Sequence, residues 1–139
     1  MPVELGRRHA AALCALRVSL GLLLVWWGIG RVVNLEMGLN VQNHFYFGLF
    51  DSTELQAAFG LVEAGVGALV ALGLMRVVAV PAQLAITGFS AATIWSALLD
   101  PFGLWLPVAR LAPVQHLFYP SVIALCAAAV MIVFAAQDR

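Results

Sequence analysis

Lysine is absent from this 139-residue sequence, and charged residues of every kind make up only 10% of it. Soluble domains carry about 25% charged residues and about 45–50% apolar ones. Here 63% of the chain is apolar. The shortage of charge excludes a water-solvated globule, and lipid is the solvent that the composition fits. Seven arginines face seven acids, so no basic run is available to hold nucleic acid.

Catalytic signatures are missing too. G-x-x-x-x-G-K-[ST], G-x-S-x-G and H-E-x-x-H do not occur, which removes phosphate-loop, acyl-transfer and zinc-peptidase chemistry. No catalytic residue and no metal ligand set is assigned. The two cysteines, Cys14 and Cys126, form no C-x-x-C pair for a thiol relay and read as buried free thiols. His9, His44 and His116 all lie outside the long apolar runs, so facing haem ligands on spanning helices are not indicated.

What is present is apolar length. About 20 apolar residues cross a hydrocarbon core, and four runs qualify: 13–33, 55–74, 77–99 and 117–136. None alternates with period two, and unpaired backbone groups in lipid cost several kcal/mol each, so a β-barrel is excluded. The sequence therefore predicts an all-α integral membrane four-helix bundle, one domain over residues 1–139, with no linker and no convincing internal repeat. Arg7 and Arg8 precede the first run, as in a secretory leader. The run is too long for one, contains Arg17 and has no small-residue cleavage site, so it is expected to stay as a span. Arg7, Arg8, Arg76 and Arg139 fall on one side with Arg17 a turn inside the membrane, against Arg31 and Arg110 on the other, which predicts both termini inside. Arg17 is expected to snorkel, and Met75-Arg76 to form a two-residue turn.

The outer connections then hold most of the remaining chemistry, including Glu36, Asp51, Glu54, Asp100, His44 and His116. Residues 39–50, LNVQNHFYFGLF, are too few to span but rich in rings that favour the interface. They read as a short interfacial helix, either a hydrophobic lid on the bundle or a substrate-gripping element. The second connection contains three prolines and reads as an ordered loop, with Pro120 starting the last helix.

In lipid, small residues at four-residue spacing mark helix packing. Gly60, Ala64 and Ala68 form one such face on span two, and Gly88, Ala92 and Ser96 another on span three. Glu63 is the costliest residue, because it lies about 12 Å below Leu55, too deep to reach water. Arg31, on the outer end of the neighbouring span, is its nearest partner, and a bidentate pair is expected. That pair is a clamp on helix register, or else Glu63 relays protons or binds a ligand. On span three, Gln83, Thr87 and Ser90 make a polar ladder that continues through Thr93, Ser96 and Asp100. It serves as interhelical glue or as the wall of a small cavity. In the second case His44, Tyr46, Thr87, Ser90, Trp95, Asp100 and His116 are the candidate contacts for a quinone or another small ligand, with the lid rings Phe45, Tyr46 and Phe47 above.

The runs LRVSLGLLLVWWGIGRVVN and FGLVEAGVGALVALGLMRVVAVPA resemble the DoxX-like family of small four-helix bacterial membrane proteins. Arg17 and Gly21 match the L-R-x-x-x-G opening, and Gly28 and Arg31 match the G-x-x-K close of span one, with arginine for lysine. Glu63, Gly67, Gly73 and Arg76 match the second span and the basic turn after it. Span four matches only in hydropathy and length. The resemblance implies a bacterial inner-membrane protein, multi-pass, with other membrane-protein subunits as partners in a quinone-linked redox complex. On this reading the chain is an accessory or quinone-contacting subunit without a complete catalytic motif. The alternatives are a small oligomeric transporter or channel using Glu63, and a purely structural or assembly subunit.

Overall fold

A computed structural model describes residues 7–36, 39–40, 43, 52–95, 99–100, 115–136 and 138. Among these residues the chain is all-α, with four long helices and no strand. They are α1 (Arg7–Val33), α2 (Thr53–Leu72), α3 (Arg76–Thr93) and α4 (Gln115–Val133). Each of the four apolar runs lies largely on one helix. Leu39, Asn40 and Asn43 are helical, and the rest of 39–50 lies outside the described residues, as does most of the second connection.

Local chemistry sets the helix ends. Ser52 caps α2 by accepting a hydrogen bond from Leu55 N at 3.2 Å, and Glu54 places a negative charge in the first turn, where the helix dipole favours it. Gly73 ends the helix at φ 70°, a left-handed conformation in which Leu74 N reaches back to Leu69 O at 2.9 Å. Met75, at φ 46°, then leads directly into α3. The connection is therefore Gly73, Leu74 and Met75, with Arg76 already helical, rather than a Met75-Arg76 turn.

Pro120 does not start the last helix. α4 begins at Gln115, so the proline lies beyond the first turn, where its missing N–H leaves one carbonyl of the preceding turn without its helical donor. Flanking polarity concealed this start, since Gln115 and His116 precede the apolar run.

The most extensive helix contact is between α1 and α2, followed by α3 with α4, while α1 and α4 touch only thinly. The first of these is a backbone-to-backbone contact. A Cβ added at Gly21 would stand 2.5 Å from Ala71 N, and one at Gly67 would stand 2.6 Å from Gly21 O. Farther along, a Cβ at Gly28 would stand 2.5 Å from Ala64 N, and one at Gly60 would stand 2.7 Å from Gly28 O. The order of these contacts makes the two helices antiparallel. It also corrects the expected face: Gly60 and Ala64 lie on the seam, but Gly67 and Ala71 continue it and Ala68 is exposed. A strict four-residue step rotates off a straight seam within three positions, whereas a seven-residue step nearly returns to it. On α3, Gly88 makes ordinary contact with Leu125, Ala92 is exposed, and Ser96 lies outside the described residues.

Two helical segments, His9–Val33 and Thr53–Leu72, are long and apolar enough to cross a membrane. Only 33% and 28% of their most apolar windows are buried in the bundle. Trp26, Val33, Leu61, Leu72 and Val77 all face outward. Inward-facing positions include Leu20, Val80, Ala124 and Met131, and also Gln56, Glu63, Gln83, Thr87, Ser90 and Ser121.

Candidate functional site: a polar core between α1, α2, α3 and α4

Close approach at Gly28 and Gly60 lets a side chain of α1 reach the middle of α2. Arg31, in the last turn of α1, donates from Nε to Glu63 Oε2 at 2.8 Å. Its guanidinium also lies over the Phe59 ring, 5.0 Å from the centroid, which adds a cation–π contact. Glu63 is 1% exposed, and its Oε1 accepts no hydrogen bond among the described residues. The expected bidentate pair is thus a one-oxygen pair at the carboxylate: Arg31, stacked on Phe59 one turn along α2, presents Nε to Oε2.

Glu63 also borders a small cavity between the helices. Trp27 and Leu24 of α1, Thr87 and Ser90 of α3, and Ser121 of α4 line it together with Glu63. About 10 Å³ is open there to the centre of a water molecule, the space of about one water. Part of the ladder is folded onto its own helix: Thr87 Oγ1 donates to Gln83 O at 2.9 Å, and Thr93 Oγ1 to Ser90 O at 2.8 Å. Two carboxamides are buried beside this line. Gln56, seven residues before Glu63 on the same face, and Gln83, one turn before Thr87, each leave both side-chain polar atoms without a partner among the described residues.

A second charged group closes the end of the bundle that carries the α2–α3 turn. Arg17 is buried, not snorkelled, and donates from Nη1 to Val70 O at 3.0 Å and Ala71 O at 2.9 Å. These are last-turn carbonyls of α2 at the negative end of its dipole, and Val70 O also accepts from Gly73 N at 3.0 Å. Asp138 balances the charge, with Oδ2 2.8 Å from Arg17 Nε and 3.6 Å from Arg76 Nη1. Arg76 Nη1 also donates to the Asp138 main-chain oxygen, and its Nε donates to Gly73 O at 3.0 Å. These acceptors hold the Arg17 guanidinium inside the bundle instead of at its surface.

The sequence-predicted residues separate accordingly. Arg31, Glu63, Thr87 and Ser90 meet in one polar core. Trp95 is exposed on the outer surface instead of lining the cavity. Asp100 is buried and has interactions of its own. His44, Tyr46 and the lid rings lie outside the described residues, as does the His116 side chain. Cys126 is exposed and Cys14 half-buried, so the expected pair of buried thiols is corrected: both occupy outward or edge positions on their helices.

Sequence reasoning missed Gln56, Ser121, Trp27 and Asp138. The heptad distance from Gln56 to Glu63 was a usable signal. Asp138 offered none, since nothing local relates it to Arg17. Comparison with family models, curated proteins and solved structures returns no match.

Proposed function

We propose that this chain is an integral membrane protein of the DoxX-like type, spanning a bacterial inner membrane four times with both termini in the cytoplasm. We propose further that it serves as an accessory, quinone-contacting subunit of a membrane redox complex. The observation that carries the membrane reading is the inverted distribution of polarity. Large apolar side chains such as Trp26, Val33, Leu61 and Val77 point outward, while Arg17, Gln56, Glu63 and Gln83 are buried. In water this arrangement would expose apolar surface and desolvate charge; in lipid both costs vanish or reverse. The inside assignment of the termini rests on Arg7, Arg8, Arg76 and Arg139.

Support for quinone contact comes from the thin α1–α4 junction. There Leu16, Leu20, Leu23, Ile123, Ala124 and Ala127 line a groove of about 270 Å³ that opens sideways. Leu23 and Ala124 also line the small cavity beside Glu63, so an isoprenoid tail lying in the groove would pass beside the Glu63 site. The cavity itself is too small for a quinone ring, so on this reading the ring lies at the groove. Leu20, Val80 and Met131 pack together between the cavity and the Arg17 cluster, which favours a contacting role over a pore through one bundle.

Native mass spectrometry of tagged protein, gently extracted from its own membrane, tests this reading. Unlike chains or a quinone-sized adduct are expected. A homo-oligomer with neither would overturn it and favour the transporter.

A further inference from the structure

The four helices are held together unequally. Glycine backbones lock α1 to α2, and the short connection from Gly73 to Met75 ties α2 to α3. α3 packs on α4, but α1 and α4 touch only thinly, and the apolar groove lies on that junction. The bundle is thus two helix pairs, joined where α2 turns into α3 and most weakly closed where α1 meets α4.

A thin wall separates the groove from the interior. Leu23 of α1 and Ala124 of α4 line both the groove and the small cavity that Glu63, Thr87, Ser90 and Ser121 border. Each helix carries one half of that wall, so parting α1 from α4 merges the two spaces and opens the polar core sideways. In lipid the parting forfeits little apolar stabilisation, because acyl tails replace side chains that are no more apolar. The packing of Leu20 with Ala124 and Met131 is a contact of this kind. A polar tie is different, and one spans the junction. Asp138, which follows α4, is 2% exposed and places Oδ2 2.8 Å from Nε of Arg17 on α1. Arg17 directly follows Leu16, which lines the groove. Arg76 of α3 holds Asp138 from the other side, through its main-chain oxygen and, at 3.6 Å, its carboxylate. Lipid offers no replacement for such a pair.

We propose that the α1–α4 junction is a lateral gate, with Leu23 and Ala124 as its wall and the Arg17–Asp138 pair as its latch, through which a lipid-soluble molecule with a polar head reaches the Glu63, Thr87, Ser90 and Ser121 core. The gate rests on the bilayer reading, and its ligand on the quinone-contacting reading.

Pulsed electron paramagnetic resonance of the full chain in lipid nanodiscs tests each separately. With Cys14→Ala throughout, spin labels on Cys126 and Leu22→Cys span the junction, and labels on Leu22→Cys and Val62→Cys, with Cys126→Ala, report α1–α2; all three positions face outward. Asp138→Asn should lengthen the α1–α4 distance by several ångströms and leave the α1–α2 distance unchanged. A Gly-Gly-Gly insertion after Ala136 slackens the latch without stranding a charge, and it should lengthen the α1–α4 distance even if Asp138→Asn does not fold. An α1–α4 distance that the insertion leaves unmoved, or an α1–α2 distance that lengthens equally, would overturn the gate. Decylubiquinone added to the latched chain should also lengthen the α1–α4 distance. No response to it, in a chain whose junction the insertion opens, would overturn the quinone as ligand. Collision of the Cys126 label with a water-soluble nickel chelate would instead overturn the bilayer reading.

Discussion

Removing one partner of a buried ion pair leaves the other charged and desolvated, which costs about 3–5 kcal/mol. Glu63→Leu and Arg31→Met should each lower stability by that order in reversible unfolding from detergent micelles. The charge-reversed double variant, Glu63→Arg with Arg31→Glu, should recover a large part of the loss, because the seam at Gly28 and Gly60 keeps the two positions within reach. A double variant as unstable as the worse single one would show that the pair contributes no coupling. The pairing itself was legible in the sequence, because a carboxylate in the middle of a long apolar run must find a cation, and Arg31 at the end of the preceding run is the nearest one. Its one-oxygen geometry was not, since that depends on how closely two helix backbones approach.

At the scale of the element, the α1–α2 seam rests on glycine at two levels. Gly28→Val would drive a side chain into the Gly60 and Ala64 backbone and should cost about 1–3 kcal/mol by overpacking, or more if the helices cannot separate. Gly30, two residues along the same helix, meets nothing within 4 Å. Gly30→Ala should therefore be neutral or stabilising by up to about 1 kcal/mol through helix propensity. Thermal unfolding in detergent distinguishes them, and equal effects would remove the seam from the account of α1–α2 packing. The positions of the helices could be read from apolar length, but the seam could not. Hydropathy carries no phase in lipid, and the four-residue rule selected Ala68, which is exposed, over Gly67, which is buried.

For the molecule as a whole, orientation and closure are the open quantities to measure. Green fluorescent protein fused after the last residue should fluoresce in cells and alkaline phosphatase at the same point should be inactive, as a cytoplasmic C-terminus requires. The reverse pattern would invert the proposed topology. Asp138→Asn should loosen the turn end, because Arg17 and Arg76 both lose their carboxylate. Stability should fall by about 3 kcal/mol or less, since the α2 carbonyls still hold Arg17. An unchanged midpoint would show that the carbonyls alone suffice. This contact also imposes an order in time. During synthesis α1 and α2 emerge early and can zip along their glycines as a hairpin, but Arg17 must wait for Asp138, which leaves the ribosome only after α3 and α4. Until then Arg17 lacks its carboxylate, so a contact from beyond α4 completes the first two helices.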